Sequence, residues 1–199
     1  MKQRVVVFLD WQNVYRRGRA AFGLDPQPHT FGQVDPLALA HRICGMKPDR
    51  ELAGVRIYRG LPKPGDDPKG YAANRRQTSA WMARDNARTH VFLRPLQYLP
   101  GLDPREKGID VQLAIDFVMM AILDEYDVGV MFSVDTDLNP ALEAVANLGT
   151  ATPEVAAWNG PFAPPKRLGE GKGLNLWCNW LHKEIFEGVA DPRDYSVGK

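Results

Sequence analysis

The run Val5-Val6-Val7-Phe8-Leu9 constrains this chain more than any other stretch. Five consecutive apolar residues, mostly β-branched or aromatic, predict a strand buried on both faces, as in the interior of a parallel sheet. The run stops at Asp10, and Trp11, Gln12 and Asn13 follow. Open α/β sheets bind their ligands outside the carboxyl ends of the strands. Asp10 therefore falls where chemistry is expected, and a lone carboxylate ending a buried strand has no routine structural task.

The remaining pattern alternates. Residues 52–58, 89–94 and 127–133 read as strands, and 151–158 as a fifth, though Pro153 makes it a poor central one. Between them lie helical stretches at 14–23, from the Asp35-Pro36 start onward, at 71–88, 111–123 and 140–148. Strand and helix in turn predict an α/β fold, a three-layer α/β/α sandwich with a mostly parallel central sheet. Helix 111–123 is apolar nearly all round, so burial of both its faces is expected. Residues 159–173 read as a Pro/Gly-rich loop. Residues 174–189 read as an amphipathic helix whose Trp177, Trp180 and Phe186 dock on the sheet, with a peripheral tail from Asp191. The expected organisation is one domain over residues 1–158, with 159–199 packed on it.

Several classes are disfavoured. At 199 residues, 44% of them apolar, the chain can bury a full core. It has no run of about 18 apolar residues to span a membrane. Residues 1–4 lead into the first strand without a signal-peptide hydrophobic region, so a cytoplasmic setting is expected. Cys44 and Cys178 lack metal or disulfide spacing and read as reduced thiols. Net charge is +1, which gives no support for a strongly basic nucleic-acid binder. Positive residues are nonetheless clustered: Arg16, Arg17 and Arg19; Arg75 and Arg76; Lys166, Arg167 and Lys172.

Against these clusters stand four acids. Asp10 and Asp135 both end strands, so a parallel sheet brings them to one edge, and Asp110 opens a helix that starts near that edge. Asp137 completes Asp135-Thr136-Asp137, where it suits a helix N-cap as well as a metal. Carboxylates brought together repel, and a hard divalent cation removes the penalty; oxygen-only ligands favour Mg²⁺ or Mn²⁺ over zinc. Asp116, six residues past Asp110, points to a different face and reads as a partner-paired acid. His41 reads as a plain surface histidine, and Asp66 and Asp67 as solvated loop acids.

Three segments carry a family resemblance: the apolar strand ending Asp10-x-x-Asn13, Lys107-Gly108-Ile109-Asp110-Val111 followed by Leu113-Ala114-Ile115-Asp116, and Ser133-Val134-Asp135-Thr136-Asp137-Leu138-x-Pro140. In this order and spacing, over residues 4–158, the chain resembles the NYN domains of the PIN-like nuclease superfamily, particularly the LabA-like branch. Where members often have Ser-Gly-Asp-Ser-Asp-Phe, this chain has Val134, Thr136 and Leu138, which spares the acids. The resemblance implies a Mg²⁺- or Mn²⁺-dependent ribonuclease acting on RNA, and a single-stranded substrate is expected. Asp10, Asp110, Asp135 and Asp137 are its implied catalytic and metal-binding acids, with Asn13 and Lys107 as supporting polar positions. Arg16, Arg17, Arg75 and Arg76 are candidate contacts to the RNA backbone. A non-catalytic nucleic-acid- or protein-binding module on the same fold is the alternative. A phosphomonoesterase is a third reading, weakened because Asp10-Trp11-Gln12 lacks a second acid.

Overall fold

Strand β1 (Gln3–Asp10) lies inside a six-stranded, all-parallel sheet in the computed structural model, which describes residues 1–169 and 174–197. The chain continues through α1 (Trp11–Ala21), α2 (Pro36–Cys44), β2 (Arg50–Leu61), α3 (Pro68–Met82), β3 (Thr89–Pro95) and α4 (Ile109–Ile122). It then forms β4 (Val128–Phe132), a 3₁₀ turn (Thr136–Leu138), α5 (Asn139–Leu148), β5 (Thr152–Trp158), β6 (Cys178–Leu181) and α6 (Lys183–Gly188). The sheet order is β3-β2-β1-β4-β5-β6.

The chain thus builds outward from β1 to β3, then returns to lay β4 on the other side of β1. Val5, Val7 and Leu9 face one core, with α1, α2, Trp81 of α3 and Phe186 of α6. Val6 and Phe8 face the other, with α4 and α5. This is the expected α/β/α sandwich. Right-handed crossovers send the two halves of such a sheet to opposite faces, so a crevice opens at the carboxyl ends of β1 and β4, where the order reverses.

Four expectations need correction. Residues 174–189 are not one helix. Asn179 and Leu181 are buried while Cys178 and Trp180 are half-buried, the period-two pattern of a strand. The resulting β6 covers β5, which would otherwise be an open edge. Of the three aromatic residues, only Phe186 enters the core, 5.2 Å from Trp158 between ring centres. Trp177 is 57% exposed, with the Lys47 ammonium 4.6 Å over its ring.

Second, β5 is internal despite Pro153. The Thr152 amide donates to Asp127 and the Val155 amide to Trp177, so the nitrogen of Pro153, in register with that of Val155, faces the β6 side. Pairing with β6 begins only at Val155, so the missing N–H breaks no ladder bond.

Third, α4 buries one face. Ile109, Leu113, Phe117 and Ala121 pack inward, but Val111, Ile115, Met119 and Ile122 are exposed, because nothing described lies outside this layer.

Fourth, the tail is not peripheral. Buried Asp191 accepts from the Tyr195 hydroxyl at 2.7 Å, its amide donates to Gln33, and Arg76 donates to the Tyr195 carbonyl at 2.8 Å.

Trp81 is core, as expected, and His41 is exposed. Nearer the amino ends of the strands, buried Glu154 receives Arg50 at 2.7 and 3.0 Å, Lys47 at 2.8 Å and Asn179 at 3.0 Å. Burial alone would raise its pKa, but these donors outweigh it and hold the carboxyl down to about 2. No helix among the described residues is long and apolar enough to cross a membrane.

Candidate active site

Asp10 ends β1 and caps α1 in the same step. One of its carboxylate oxygens accepts from the Asn13 amide at 3.2 Å; the other accepts from the Asn13 side chain and from the Ser133 hydroxyl at 2.7 Å. Helix α1 accordingly begins at Trp11 and not at residue 14, and Asp10 has a structural task that the sequence pattern hid. Ser133, fully buried just past β4, also accepts from the Asp135 amide at 3.0 Å. One hydroxyl therefore ties the ends of β1 and β4 together across the switch point. Asp135 caps the following 3₁₀ turn by accepting from the Asp137 amide at 3.0 Å.

Asp110 comes from the opposite layer. It sits in the first turn of α4, whose N-cap is Gly108 at φ +72°, with no side-chain cap. A side chain at that left-handed position is strained, so the glycine is what lets the loop turn into the helix.

These residues share one open cavity of about 750 Å³, lined among others by Asp10, Asn13, Arg16, Glu106, Asp110 and Asp135. Its electrostatics are those of crowded acids. Burial, then the charges of Asp10, Asp135 and Asp137, push Asp110 up to about 6. Burial also raises Asp10, with the charge of Asp135 adding to it, against the opposing hydrogen bonds from Ser133 and Asn13. Glu106 is raised by burial first and by Asp10 and Asp110 after it, while the Gly60 amide, donating at 2.6 Å, and the charge of Arg59 oppose the rise.

Glu106 and Ser133 were not among the sequence candidates. Each had a faint signal: Glu106 lies in the loop feeding the helix that carries Asp110, and Ser133 directly precedes the Asp135 turn.

The other candidates divide. Asn13 and Arg16 line the cavity, and Asp137 is exposed but acts on Asp110 through its charge. Lys107 is exposed and does not line it. Arg17 donates to the Pro164 carbonyl at 2.9 Å, Arg76 is held by the tail, and Arg75 lines a separate shallow pocket against β3. Asp116 is partner-paired, accepting from Tyr58 at 2.7 Å and from Arg56 at 3.2 Å. Asp67 is a helix cap, bonded to the Gly70 amide at 2.8 Å, while Asp66 is exposed. Arg167 donates to the Leu176 carbonyl at 3.1 Å, and Lys172 lies outside the described residues.

The donor set is oxygen-only and acidic, which suits a hard divalent cation. Among the described residues, however, no three His, Cys, Asp or Glu side chains stand close enough together to hold one ion as they are. Holding one ion with three of these acids requires their side chains to turn inward.

The family model described as NYN domain matches residues 4–165. No curated protein matches the chain. Among solved structures, the chain is similar to the crystal structure of a protein of unknown function from Vibrio parahaemolyticus RIMD 2210633. Identity is 17%, 78% of this chain and 81% of that chain are covered, and the TM-score is 0.49. It is also similar to Glycyrrhiza uralensis UGT73P12 complexed with glycyrrhetinic acid 3-O-monoglucuronide, at 14% identity, covering 78% of this chain and 28% of that chain, with TM-score 0.35. Similarity this distant bears on neither substrate nor site.

Proposed function

This chain belongs to the NYN domain family of the PIN-like nuclease superfamily, and from that premise we propose that it is a ribonuclease of the LabA-like kind that hydrolyses single-stranded RNA at the Asp10–Asp110–Asp135 cavity. The observation that carries this reading is the convergence of Asp10, Glu106, Asp110 and Asp135 on one cavity at the switch point, with Asp110 raised to about 6. A fold selected for stability alone has no reason to crowd acids this way.

The residues suited to hold Mg²⁺ or Mn²⁺ are Asp10, Asp110 and Asp135, with Asp137 adding charge from the rim. Such an ion supplies a polarised phosphoryl oxygen and a more acidic water.

The chain's own groups do the rest. Ser133 and Asn13 fix the orientation of the Asp10 carboxylate. Arg16, on the cavity wall, offsets the charge of the phosphodiester. Asp110, the acid its neighbours disfavour most, gains most from a bound cation, which would hold its carboxylate ionised. Lys107, Arg17, Arg75 and Arg76 remain outer contacts for a longer strand. A cytoplasmic setting accords with this substrate.

The test is incubation with Mn²⁺ and, separately, labelled single-stranded RNA, single-stranded DNA and a phosphomonoester, with Asp10→Asn as the control for contaminating nuclease. RNA cleavage that disappears in Asp10→Asn is expected. Undiminished cleavage in that variant sinks the assignment. Binding of RNA without cleavage by either protein would instead favour the non-catalytic module.

A further inference from the structure

A second cavity, about 360 Å³ in volume, adjoins the acidic one and shares Gln12, Arg16 and Glu106 with it. That volume lies within the range of small-molecule sites, about 300–1,000 Å³. Arg59, near the end of β2, lines it. Its Nη1 donates to the Gln77 side chain at 2.8 Å, and its guanidinium lies 5.2 Å over the ring of Trp81. Its Nε is buried without a hydrogen-bond partner, and among the described residues no carboxylate stands within ion-pairing distance of it.

Glu106 is the acid whose charge reaches Arg59, but one of its oxygens is engaged by the Gly60 amide. Asn74, also on the wall, donates to the Gly60 carbonyl at 3.1 Å while its own Oδ1 is buried and unpartnered. Burying a cation without a counter-ion is costly, and such groups are normally paired. Burial pulls the half-buried Arg59 guanidinium down to about 10, against the charge of Glu106. The rest of the wall differs in character: half-buried Tyr15 and Leu96 offer flat and apolar surface, the kind on which a base stacks, while Trp11 backs them from the core with its ring against Trp81.

We propose that this second cavity is a nucleotide subsite in which Arg59 receives the phosphate of one nucleotide and the Tyr15–Leu96 wall supports its base. The buried acceptor of Asn74 is then available to a base or sugar donor. The subsite rests on the ribonuclease reading for its place in catalysis, since it positions the nucleotide adjoining the acids. Its binding chemistry does not need that reading. The phosphate can be terminal or internal to a strand, and both present the same anion to Arg59.

The full chain in EDTA, titrated with adenosine 5′-monophosphate, adenosine and inorganic phosphate, tests the assignment through calorimetry and tryptophan fluorescence. The monophosphate is expected to bind about tenfold or more tighter than adenosine, as a charge-assisted hydrogen bond provides. Arg59→Gln should weaken it by a similar factor. Because Arg59→Gln also changes the packing on Trp81, Ala73→Phe serves as a second variant. It fills the cavity from α3 and leaves every partner of Arg59 in place.

RNA hexamers with a 5′-phosphate, a 3′-phosphate or neither then separate the sources. A preference for one end that Arg59→Gln abolishes assigns a terminal phosphate; equal binding that Arg59→Gln lowers throughout assigns an internal one. Equal affinity for adenosine and its monophosphate, unchanged binding in both variants, or no binding by the wild type overturns the proposal. No cleavage is required, so failure here leaves the ribonuclease reading standing, and loss of that reading leaves this one standing.

Discussion

Replacing Asp110 by Asn should make the protein more stable at neutral pH while removing its activity. A carboxyl raised from 3.8 to about 6 by burial and by three neighbouring acids binds its proton more tightly in the folded than in the unfolded state. The unfolded chain therefore ionises first as pH rises. Stability falls between about pH 4 and pH 6 and stays low above that window. Taken at face value the shift corresponds to about 3 kcal/mol. Asp110 is only part-buried, and solvent screening reduces the figure to about 1.5 kcal/mol. The substitution also forgoes a favourable charge in the first turn of α4, about 0.3–1 kcal/mol.

The net gain expected for Asp110→Asn at pH 7.5 is about 1 kcal/mol, a rise in Tm of about 2–4 °C for a chain of this size. Thermal unfolding of both proteins in EDTA at pH 7.5 and at pH 4.5 measures it. At the lower pH the wild-type carboxyl is largely protonated when folded, and the advantage should shrink toward zero or reverse. A variant less stable than wild type at pH 7.5, or a gain of the same size at both values, refutes the claim that the acids of this cavity stand against one another.

Two further predictions follow from other parts of the fold. Glu154→Ala leaves the Arg50 guanidinium buried without its carboxylate and should cost about 3–5 kcal/mol, lowering Tm by about 6–20 °C; a drop under about 3 °C would contradict it. Because the folded value of Glu154 is depressed to about 2, its stabilisation is present above about pH 4.5 and is lost as pH falls toward 2, so the gap between variant and wild type should narrow there. At Gly60, an added Cβ meets the Leu96 side chain and comes within 2.9 Å of the Glu106 Cγ. Gly60→Ala should therefore displace Glu106 and lower RNA cleavage, whereas Gly65→Ala, whose Cβ meets nothing within 4 Å, should not. Equal cleavage by the two variants would remove Glu106 from the site.

The layered fold and the shared edge of Asp10 and Asp135 were legible because they depend on local patterns: apolar runs, breakers and the fixed direction of parallel strands. Position within the sheet was not, since no local pattern says that β4 returns to the flank of β1. Yet that return is what makes the shared edge a crevice. The misread segment at residues 174–189 shows the same limit from the other side. Its apolar residues fit a helical period, and pairing with β5 overrode it. Helix α4 failed differently: being apolar all round says that a helix can be covered twice, not that a second cover exists. Glu106 escaped because its placement depends on a backbone amide 46 residues away.

Asp10 is where structural and chemical roles meet, and the meeting dictates how it must be tested. Its two oxygens accept from three donors: the Asn13 amide, the Asn13 side chain and Ser133. In Asp10→Asn the cap to the Asn13 amide survives and the Asn13 side chain can turn its oxygen to the new NH₂, but the buried Ser133 hydroxyl loses its acceptor. A buried donor without an acceptor costs about 1–3 kcal/mol. Loss of activity in that variant alone therefore mixes a lost carboxylate with a loosened tie to Ser133. The double variant Asp10→Asn with Asn13→Asp reverses the polarity of the pair, so that residue 10 donates and residue 13 accepts. It should recover part of the stability lost by the single variant, through a charge-assisted hydrogen bond between the pair, while leaving RNA cleavage absent, because the charge has moved from the strand end to the first turn of α1. Recovery of cleavage along with stability would mean that the reaction needs a negative charge anywhere at this edge, and would remove Asp10 from its specific place in the site.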